Sequence, residues 1–286
     1  MFSKKKLLFL NSLFVVLKIS SDWCKMIDKN KYTSFIKQED IREFIIKNIS
    51  KLEGVLDNFD IRRTDFMNPY EQRLFISVLN AFSNEISYQA VGGNENSERK
   101  MFLIYPDYIY EVELPVKLLR LYGNFKFEKI SHRDCLGALM SVGITREKIG
   151  DIYVHKDFID VVIDEAIGNY MISNITSIRH CSIKGKILPI EELTETEIEL
   201  VKKDYSVSSL RIDNIIAEAF NLSRASAISV IKSERVKVNY EPVFSQSKEI
   251  EENSLISVKG YGRFVFISSN GLSKKGKIRI SLAHYK

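Results

Sequence analysis

Residues 209–239 read SLRIDNIIAEAFNLSRASAISVIKSERVKVN, and this stretch decides the fold of the C-terminal part of the chain. Residues 209–220 and 223–233 are predicted as two short helices, with Ser223 as the N-cap of the second. A short strand at 236–239 follows, and two further strand-like segments lie at 255–258 and 264–268. The sequence therefore predicts a compact α+β domain over residues 206–286.

The positive charge of the chain is concentrated in this C-terminal region. Residues 205–286 contain 13 Lys and Arg against 7 Asp and Glu, whereas the whole chain has 42 against 37. The rest of the chain is therefore slightly acidic. A basic module on an otherwise balanced protein indicates a polyanionic partner such as RNA.

The residue types in this region are those that bind phosphate. Arginine offers a planar fork of donors for a phosphate, and the N-terminus of a helix adds free N–H groups. Asp213 has no nucleophile beside it in the sequence and is interpreted as an orienting partner for an arginine. The predicted RNA-binding residues are Arg211, Asp213, Ser223, Arg224, Ser226, Lys232, Ser233, Arg235, Lys237, Asn239, Lys259 and Arg263. For any single basic residue, the alternative is a solvated surface position.

The same stretch resembles the S-four (alpha-L) RNA-binding domain. The usual pattern of that domain is R-L-D, then L-S-R-S-x-A, then I-x-x-G-x-V-x-V-N, and it matches residues 211–213, 222–227 and 231–239. This chain departs from the pattern at Ile212, Ala225 and Glu234. Glu234 replaces a Gly that allows a positive φ before the strand, so a strained turn is expected there. The resemblance implies binding to structured RNA.

Residues 85–190 are predicted to form a ferredoxin-like middle domain. After strand-like segments at 86–91 and 100–105, the order of elements is β-α-β-β-α-β. These six elements are predicted at 116–122, 131–142, 151–155, 158–163, 164–177 and 179–187. RNA-recognition-motif domains share this order, but the aromatic strand motif of those domains is absent, so base stacking of the usual kind is not expected. Arg133, Arg146 and Lys148 are predicted as secondary RNA contacts, and the alternative for Arg146 is a structural ion network with Glu147 and Asp151.

The remaining segments complete the predicted organisation of an α+β protein. Residues 26–84 are expected to form a helical domain, with one helix from Asp40 through Leu52 that is followed by Gly54 as a stop. Residues 191–205 are expected to form an acidic linker. Residues 1–25 form an apolar extension with three readings: an upstream extension before a true start at Met26, an amphipathic surface segment, or an export signal.

Further motifs resemble the YlmH family of bacterial RNA-binding proteins. They are Gly92-Gly93 followed by 97–99, the stretch HRDCLGALM at 132–140, GITREKIGDI at 143–152, and the C-terminal motifs at 260–264 and 274–277. The resemblance covers nearly everything after Met26. It implies binding to ribosomal RNA of the large ribosomal subunit with a stalled peptidyl-tRNA, in support of ribosome-associated quality control, and it makes tRNA a further expected partner.

Other classes of protein are less compatible with the sequence. The three cysteines are far apart and no pair of the four histidines has the spacing of a metal site, so neither a metal nor a cofactor is expected. We expect a cytoplasmic monomer that is not an enzyme and takes no small-molecule substrate. Two alternatives stay open: an RNA-modifying enzyme similar to a pseudouridine synthase, and a membrane-associated cell-division factor, which depends on the apolar run at 7–17.

Overall fold

The computed structural model describes residues 26–125, 128, 130–196 and 199–285. The apolar extension expected at residues 1–25, and with it the basis for membrane attachment, lies outside the described residues. The chain divides into two compact units. The first contains the chain up to Asp65 with Leu74–Val91 and Met101–Pro115, and the second contains Phe66–Arg73, Gly92–Lys100 and the chain from Val116 onward.

The first unit combines helices with a small antiparallel sheet. The elements of this part of the chain are α1 (Lys29–Thr33), α2 (Glu39–Asn58), β1 (Arg62–Arg63), α3 (Pro69–Asn80), β2 (Ile86–Val91) and β3 (Met101–Pro106). The strands pair in the order β1-β3-β2. One face of α2 buries Ile45, Ile49 and Leu52, as the helical spacing of the apolar residues predicted.

This small sheet corrects the expected division of the chain. Residues 26–84 were expected to form a helical domain and the segments 86–91 and 100–105 to open the middle domain, whereas β2 and β3 pair with β1 in the first unit. Two-residue β1 is too short to show an alternating pattern. Its pairing of Arg62 with Ile104 joins distant positions, which local sequence patterns do not encode.

In the second unit, residues 116–188 contain a five-stranded sheet. Its elements are β4 (Val116–Gly123), α4 (His132–Ser141), a 3₁₀ turn (Arg146–Lys148), β5 (Ile149–Val154), β6 (Phe158–Asp164), a second 3₁₀ turn (Glu165–Ile167), α5 (Gly168–Asn174), β7 (Ser177–Ile178) and β8 (Cys181–Leu188). The strand order is β5-β6-β4-β8-β7, with β4 between β6 and β8. Together with α4 and α5 this is the β-α-β-β-α-β arrangement that the sequence predicted. Leu119 and Val161 of the sheet pack with Cys135, Leu139 and Met171 of the two helices.

A six-stranded antiparallel sheet forms the C-terminal part of the same unit. After a 3₁₀ turn (Ile190–Glu192), its elements are β9 (Leu200–Val207), α6 (Ile212–Ala219), α7 (Arg224–Lys232), β10 (Val236–Val238), β11 (Glu241–Pro242), β12 (Ser254–Val258), β13 (Gly262–Leu272) and β14 (Ile278–Tyr285). The strand order is β11-β10-β12-β13-β14-β9. Ile212, Ile216 and Ile231 of the helices form a core with Phe264 and Leu282 of the sheet. The prediction of two helices followed by strands agrees with this architecture, and the overall α+β class is confirmed.

The acidic linker expected at residues 191–205 is shorter than the sequence indicated. Residues from Leu200 onward form β9, which pairs with β14 at the edge of the C-terminal sheet. Five of the eight β9 residues are exposed, so the strand carries little of the apolar alternation that marks a strand in a sequence. The C-terminal domain therefore begins before residue 206.

Neither a membrane-spanning helix nor a metal-binding cluster is present among the described residues. No helix in these ranges is long and apolar enough to cross a membrane. In the same part of the chain, no cluster of three His, Cys, Asp or Glu side chains is placed to hold a metal ion.

Candidate nucleic-acid interface

Asp213 and two arginines form the centre of the predicted interface. Arg211 precedes α6 and Arg224 begins α7, and both guanidinium groups reach the carboxylate of Asp213. Arg211 donates from Nε to Oδ1 and from Nη2 to Oδ2 at 3.1 Å each, and Arg224 donates from Nε to Oδ2 at 3.0 Å. The Asp213 side chain is fully buried, whereas those of Arg211 and Arg224 are 30% and 58% exposed. One buried carboxylate thus orients two guanidinium groups that face solvent.

The negative charge of Asp213 is stabilised in spite of its burial. Burial alone would raise the pKa of this carboxyl group, but the hydrogen bonds from Arg211 and Arg224 outweigh that effect, and the pKa lies below its usual value. The main-chain N–H of Asn214 also donates to Oδ1 at 3.1 Å. With its oxygens engaged by three donor groups, Asp213 is suited to positioning arginines rather than to accepting a proton from a substrate.

The N-terminus of α7 presents two exposed serines beside Arg224. Ser223 is the N-cap that the sequence predicted: its Oγ accepts a hydrogen bond from the N–H of Ser226 at 3.0 Å. The two hydroxyl oxygens lie 2.8 Å apart. The hydroxyl groups and first-turn amides at such a helix end can donate to an anion.

The turn after α7 fixes the position of Arg235. Glu234 adopts a φ of 58°, which is the left-handed conformation expected where the S-four pattern has Gly. Arg235 donates from Nε to the carbonyl of Lys259 at 3.0 Å and from Nη2 to the same oxygen. Its guanidinium carbon lies 5.5 Å from the centroid of the Tyr261 ring. These contacts hold the side chain against the turn between β12 and β13.

An open cleft joins this turn to the five-stranded sheet domain. It has a volume of about 650 Å³ and is lined by Arg133, Arg235, Lys259 and Gly260. Arg133 is exposed in the first turn of α4. The structure therefore brings one predicted secondary contact, Arg133, next to two residues of the predicted main site.

The other predicted residues near this turn have two different environments. Lys232 and Lys237 are exposed on either side of it, and their contact with RNA stays a prediction. Ser233 and Asn239 have structural roles: Ser233 Oγ donates to a carbonyl of its own helix at 2.9 Å, and Asn239 Oδ1 accepts from a main-chain N–H of β12 at 2.8 Å.

Arg146 and Lys148 have partners within the protein, and their contact with RNA stays a prediction. Arg146 donates from Nη1 to the carbonyls of Ile149 at 2.6 Å and Gly150 at 2.9 Å. Burial lowers the pKa of its guanidinium to about 10. Lys148 lies 3.6 Å from the buried carboxylate of Asp164. Arg146 therefore supports the main chain around β5, which is closer to the structural alternative.

Arg263 has partners within the protein. Its Nη1 lies 3.2 Å from each carboxylate oxygen of Glu98, and its guanidinium carbon lies 4.4 Å from the centroid of the Tyr285 ring. The Arg263 side chain keeps 38% of its surface exposed, so its contact with RNA stays a prediction. Glu98 is distant in sequence, so no local pattern could reveal this pairing.

The outer face of the five-stranded sheet holds candidate residues that the sequence analysis missed. Tyr122 on β4 is 43% exposed and stands opposite Phe158 on β6 and Lys184 on β8. Phe158 contacts the guanidinium of Arg120 and the ring of His155, each centred 4.3 Å away. The exposed Tyr122 ring beside a lysine can stack on a base. Only the strand register, which the sequence does not give, places these side chains together.

Comparison with known proteins identifies relatives along most of the chain. A family model described as "Putative RNA-binding domain in YlmH" matches residues 110–192, which include the five-stranded sheet. The "Ribosome-associated protein quality control protein P2" of Bacillus subtilis (strain 168) is 27% identical over 257 residues, which are 89% of this chain and 98% of that protein.

A solved structure gives a more distant match. "Cell division protein ylmH from Streptococcus pneumoniae" has 22% sequence identity and a TM-score of 0.47, and the match covers 55% of this chain and 96% of that one. The family model and the Bacillus subtilis relative confirm the resemblance to the YlmH family that the sequence motifs indicated.

Proposed function

We propose that this chain is an RNA-binding protein that acts in ribosome-associated quality control. The family model that it matches is described as RNA-binding, and the Bacillus subtilis relative carries the name of a quality-control protein. In this proposal the C-terminal α+β domain supplies the main RNA contacts, and the five-stranded sheet domain supplies further ones.

The observation that carries the proposal is the pair of arginines held by Asp213. A side chain that is already fixed loses little conformational freedom when it binds, so a preorganised guanidinium fork binds phosphate better than a mobile one. Arg224 remains 58% exposed while its Nε is bound to Asp213. Its terminal nitrogens are outside this contact and can reach a phosphate.

The finer part of the proposal concerns the RNA itself. The resemblance implies ribosomal RNA of the large subunit with a stalled peptidyl-tRNA, and tRNA as a further contact. Both are folded RNAs with closely spaced backbone phosphates, which matches a surface that offers arginine forks, hydroxyl groups and helix N–H groups. We place the protein in the cytoplasm as a monomer that needs no cofactor.

The proposed role is binding without chemical catalysis. A pseudouridine synthase needs an Asp whose carboxylate can reach the substrate base. Asp213, the acid of the R-I-D motif, is fully buried and is engaged by Arg211, Arg224 and the N–H of Asn214. Its position therefore favours the binding role over the enzymatic alternative.

Cosedimentation with purified large ribosomal subunits tests the proposal. The variant Lys232→Glu with Lys237→Glu reverses two exposed charges of the predicted surface. We expect this variant to stay in the supernatant instead of sedimenting with the subunits, because each reversed charge replaces attraction to a phosphate by repulsion. The control is Lys202→Glu with Lys274→Glu, which reverses two exposed charges of the same domain that are not among the predicted contacts and should still sediment. Equal sedimentation of both double variants would contradict the proposed binding surface.

A further inference from the structure

A cleft in the second unit is lined by Arg133, Arg235, Lys259 and Gly260. Its basic residues come from two domains, with Arg133 on α4 and the others on turns of the C-terminal sheet. None of the described residues that line it is acidic. A backbone phosphate of RNA would meet two guanidinium groups and an ammonium group there with no carboxylate to compete for them.

Arg235 is held in one orientation at this cleft. Two of its nitrogens donate to the Lys259 carbonyl, and its guanidinium packs near the exposed ring of Tyr261. These contacts leave Nη1 free of the turn. An arginine that is already immobilised binds an anion at a smaller entropic cost than a free one.

Gly260 makes room for that orientation. A Cβ atom on Gly260 would lie 2.5 Å from Nη2 of Arg235, closer than two such atoms can approach. The residue also has a φ of 92°, where only glycine is unstrained. A side chain at position 260 would therefore push the Arg235 guanidinium out of its place without changing any charge.

Arg133 stands where it does not help its own helix. It lies in the first turn of α4, and the positive end of the helix dipole disfavours a cation there. The helix is instead stabilised by the capping box of Ser131 and Asp134. A cation at an unfavourable helical position, exposed into a cleft with two other cations, is consistent with a binding role.

From these contacts we infer that Arg133, Arg235 and Lys259 form one composite site for a backbone phosphate of RNA, shared by the five-stranded sheet domain and the C-terminal domain. This inference rests on the proposed RNA-binding function and adds to it that a single phosphate is gripped by both domains. One bound RNA strand then fixes the two domains together.

The test compares five single variants and one double variant of the full chain, with a double-stranded RNA stem-loop and purified large ribosomal subunits as probes. Arg133→Ala should weaken binding about tenfold, the size of one lost charge-assisted contact, and should make the slope of log K against log salt shallower by about 0.7–0.9. Its melting temperature should be unchanged or slightly higher. The matched control Lys156→Ala removes one exposed charge from the same domain and should bind like the wild type.

Gly260→Ala should weaken binding although it removes no charge. Its matched control is Gly271→Ala, because Gly271 also has a positive φ, of 75°, but open space around its Cβ position. In addition, Arg133→Ala and Arg235→Ala should be non-additive when combined, since both contact one phosphate.

Two outcomes would overturn the inference while leaving RNA binding intact. One is that Arg133→Ala binds like Lys156→Ala, and the other is that Gly260→Ala binds like Gly271→Ala. Failure of the wild-type chain to bind either probe would instead contradict the proposed function itself, and the inference with it.

Discussion

At the level of single residues, the arginines of this chain differ in their partners and in their exposure to solvent. Arg211 and Arg224 share a buried carboxylate but keep exposed surface, whereas Arg146 donates to main-chain carbonyls and Arg263 is paired with Glu98. All four are equivalent in a count of charges. Their partners differ, and Arg263, which is paired with a partly exposed carboxylate, keeps 38% of its side chain exposed.

The substitution Asp213→Asn tests this carboxylate. It leaves two guanidinium groups around a buried neutral amide, so we expect a loss of about 2 kcal/mol in the free energy of unfolding at pH 7. That is below the roughly 3–5 kcal/mol for a fully buried pair, because both arginines are partly exposed. Urea unfolding measures it, and the exposed Asp157→Asn is the control.

The stability difference between the wild type and Asp213→Asn should depend on pH. The pKa of Asp213 is lowered in the folded state, so its contribution to stability is present above the unfolded pKa of about 3.9 and is lost as the pH falls through the folded pKa. The stability difference between the wild type and Asp213→Asn should therefore shrink when the pH is lowered from neutral towards 3. A difference that is constant across this range would contradict the ionised pair.

At the scale of elements, the boundaries depend on long-range partners. α2 continues through Gly54 to Asn58, since Val55 is buried and one interior Gly costs a helix only about 1 kcal/mol. β9 forms because β14 offers it a complete row of partners. In both cases the local sequence pattern predicted a different boundary, and long-range packing set the observed one.

A pair of fragments tests the boundary at β9. Residues 199–286 retain all of β9, whereas residues 206–286 lose most of its pairing with β14 and the hydrogen bond of 2.9 Å between Tyr205 and His284. We expect the shorter fragment to be less stable by on the order of 4 kcal/mol, at about 1 kcal/mol for each lost hydrogen bond. Thermal unfolding followed by circular dichroism measures this. Identical melting curves would show that β9 contributes nothing.

In the molecule as a whole, the excess of positive charge lies in the C-terminal domain. Residues 205–286 carry 13 basic and 7 acidic residues. Of the basic residues predicted as contacts in the C-terminal domain, the structure leaves Arg224, Lys232, Lys237 and Lys259 exposed, with Arg211, Arg235 and Arg263 partly so. This number suits a multi-phosphate contact.

The salt dependence of RNA binding follows from that number. If about five basic groups neutralise phosphates, log K should fall with log salt at a slope of roughly −3.5 to −4.5. A titration with a double-stranded RNA stem-loop at several salt concentrations measures the slope. A slope near zero would mean that phosphate contacts do not drive binding, whatever the affinity.

Local sequence patterns were sufficient to predict the order of the elements in the C-terminal domain. The stretch 209–239 predicted α6, α7 and β10 correctly, with Ser223 as the cap, because caps and helical periods are local properties. The order of the five-stranded sheet domain was equally readable.

The pairing of strands and the meeting of distant charged side chains could be seen only in the folded chain. The assignment of β2 and β3 to β1, the pairing of Arg263 with Glu98, and the meeting of Arg133 with Arg235 in one cleft all join residues far apart in the chain. Such contacts depend on how completed elements pack and on the register of strands. A periodicity read along a single segment contains no information about either.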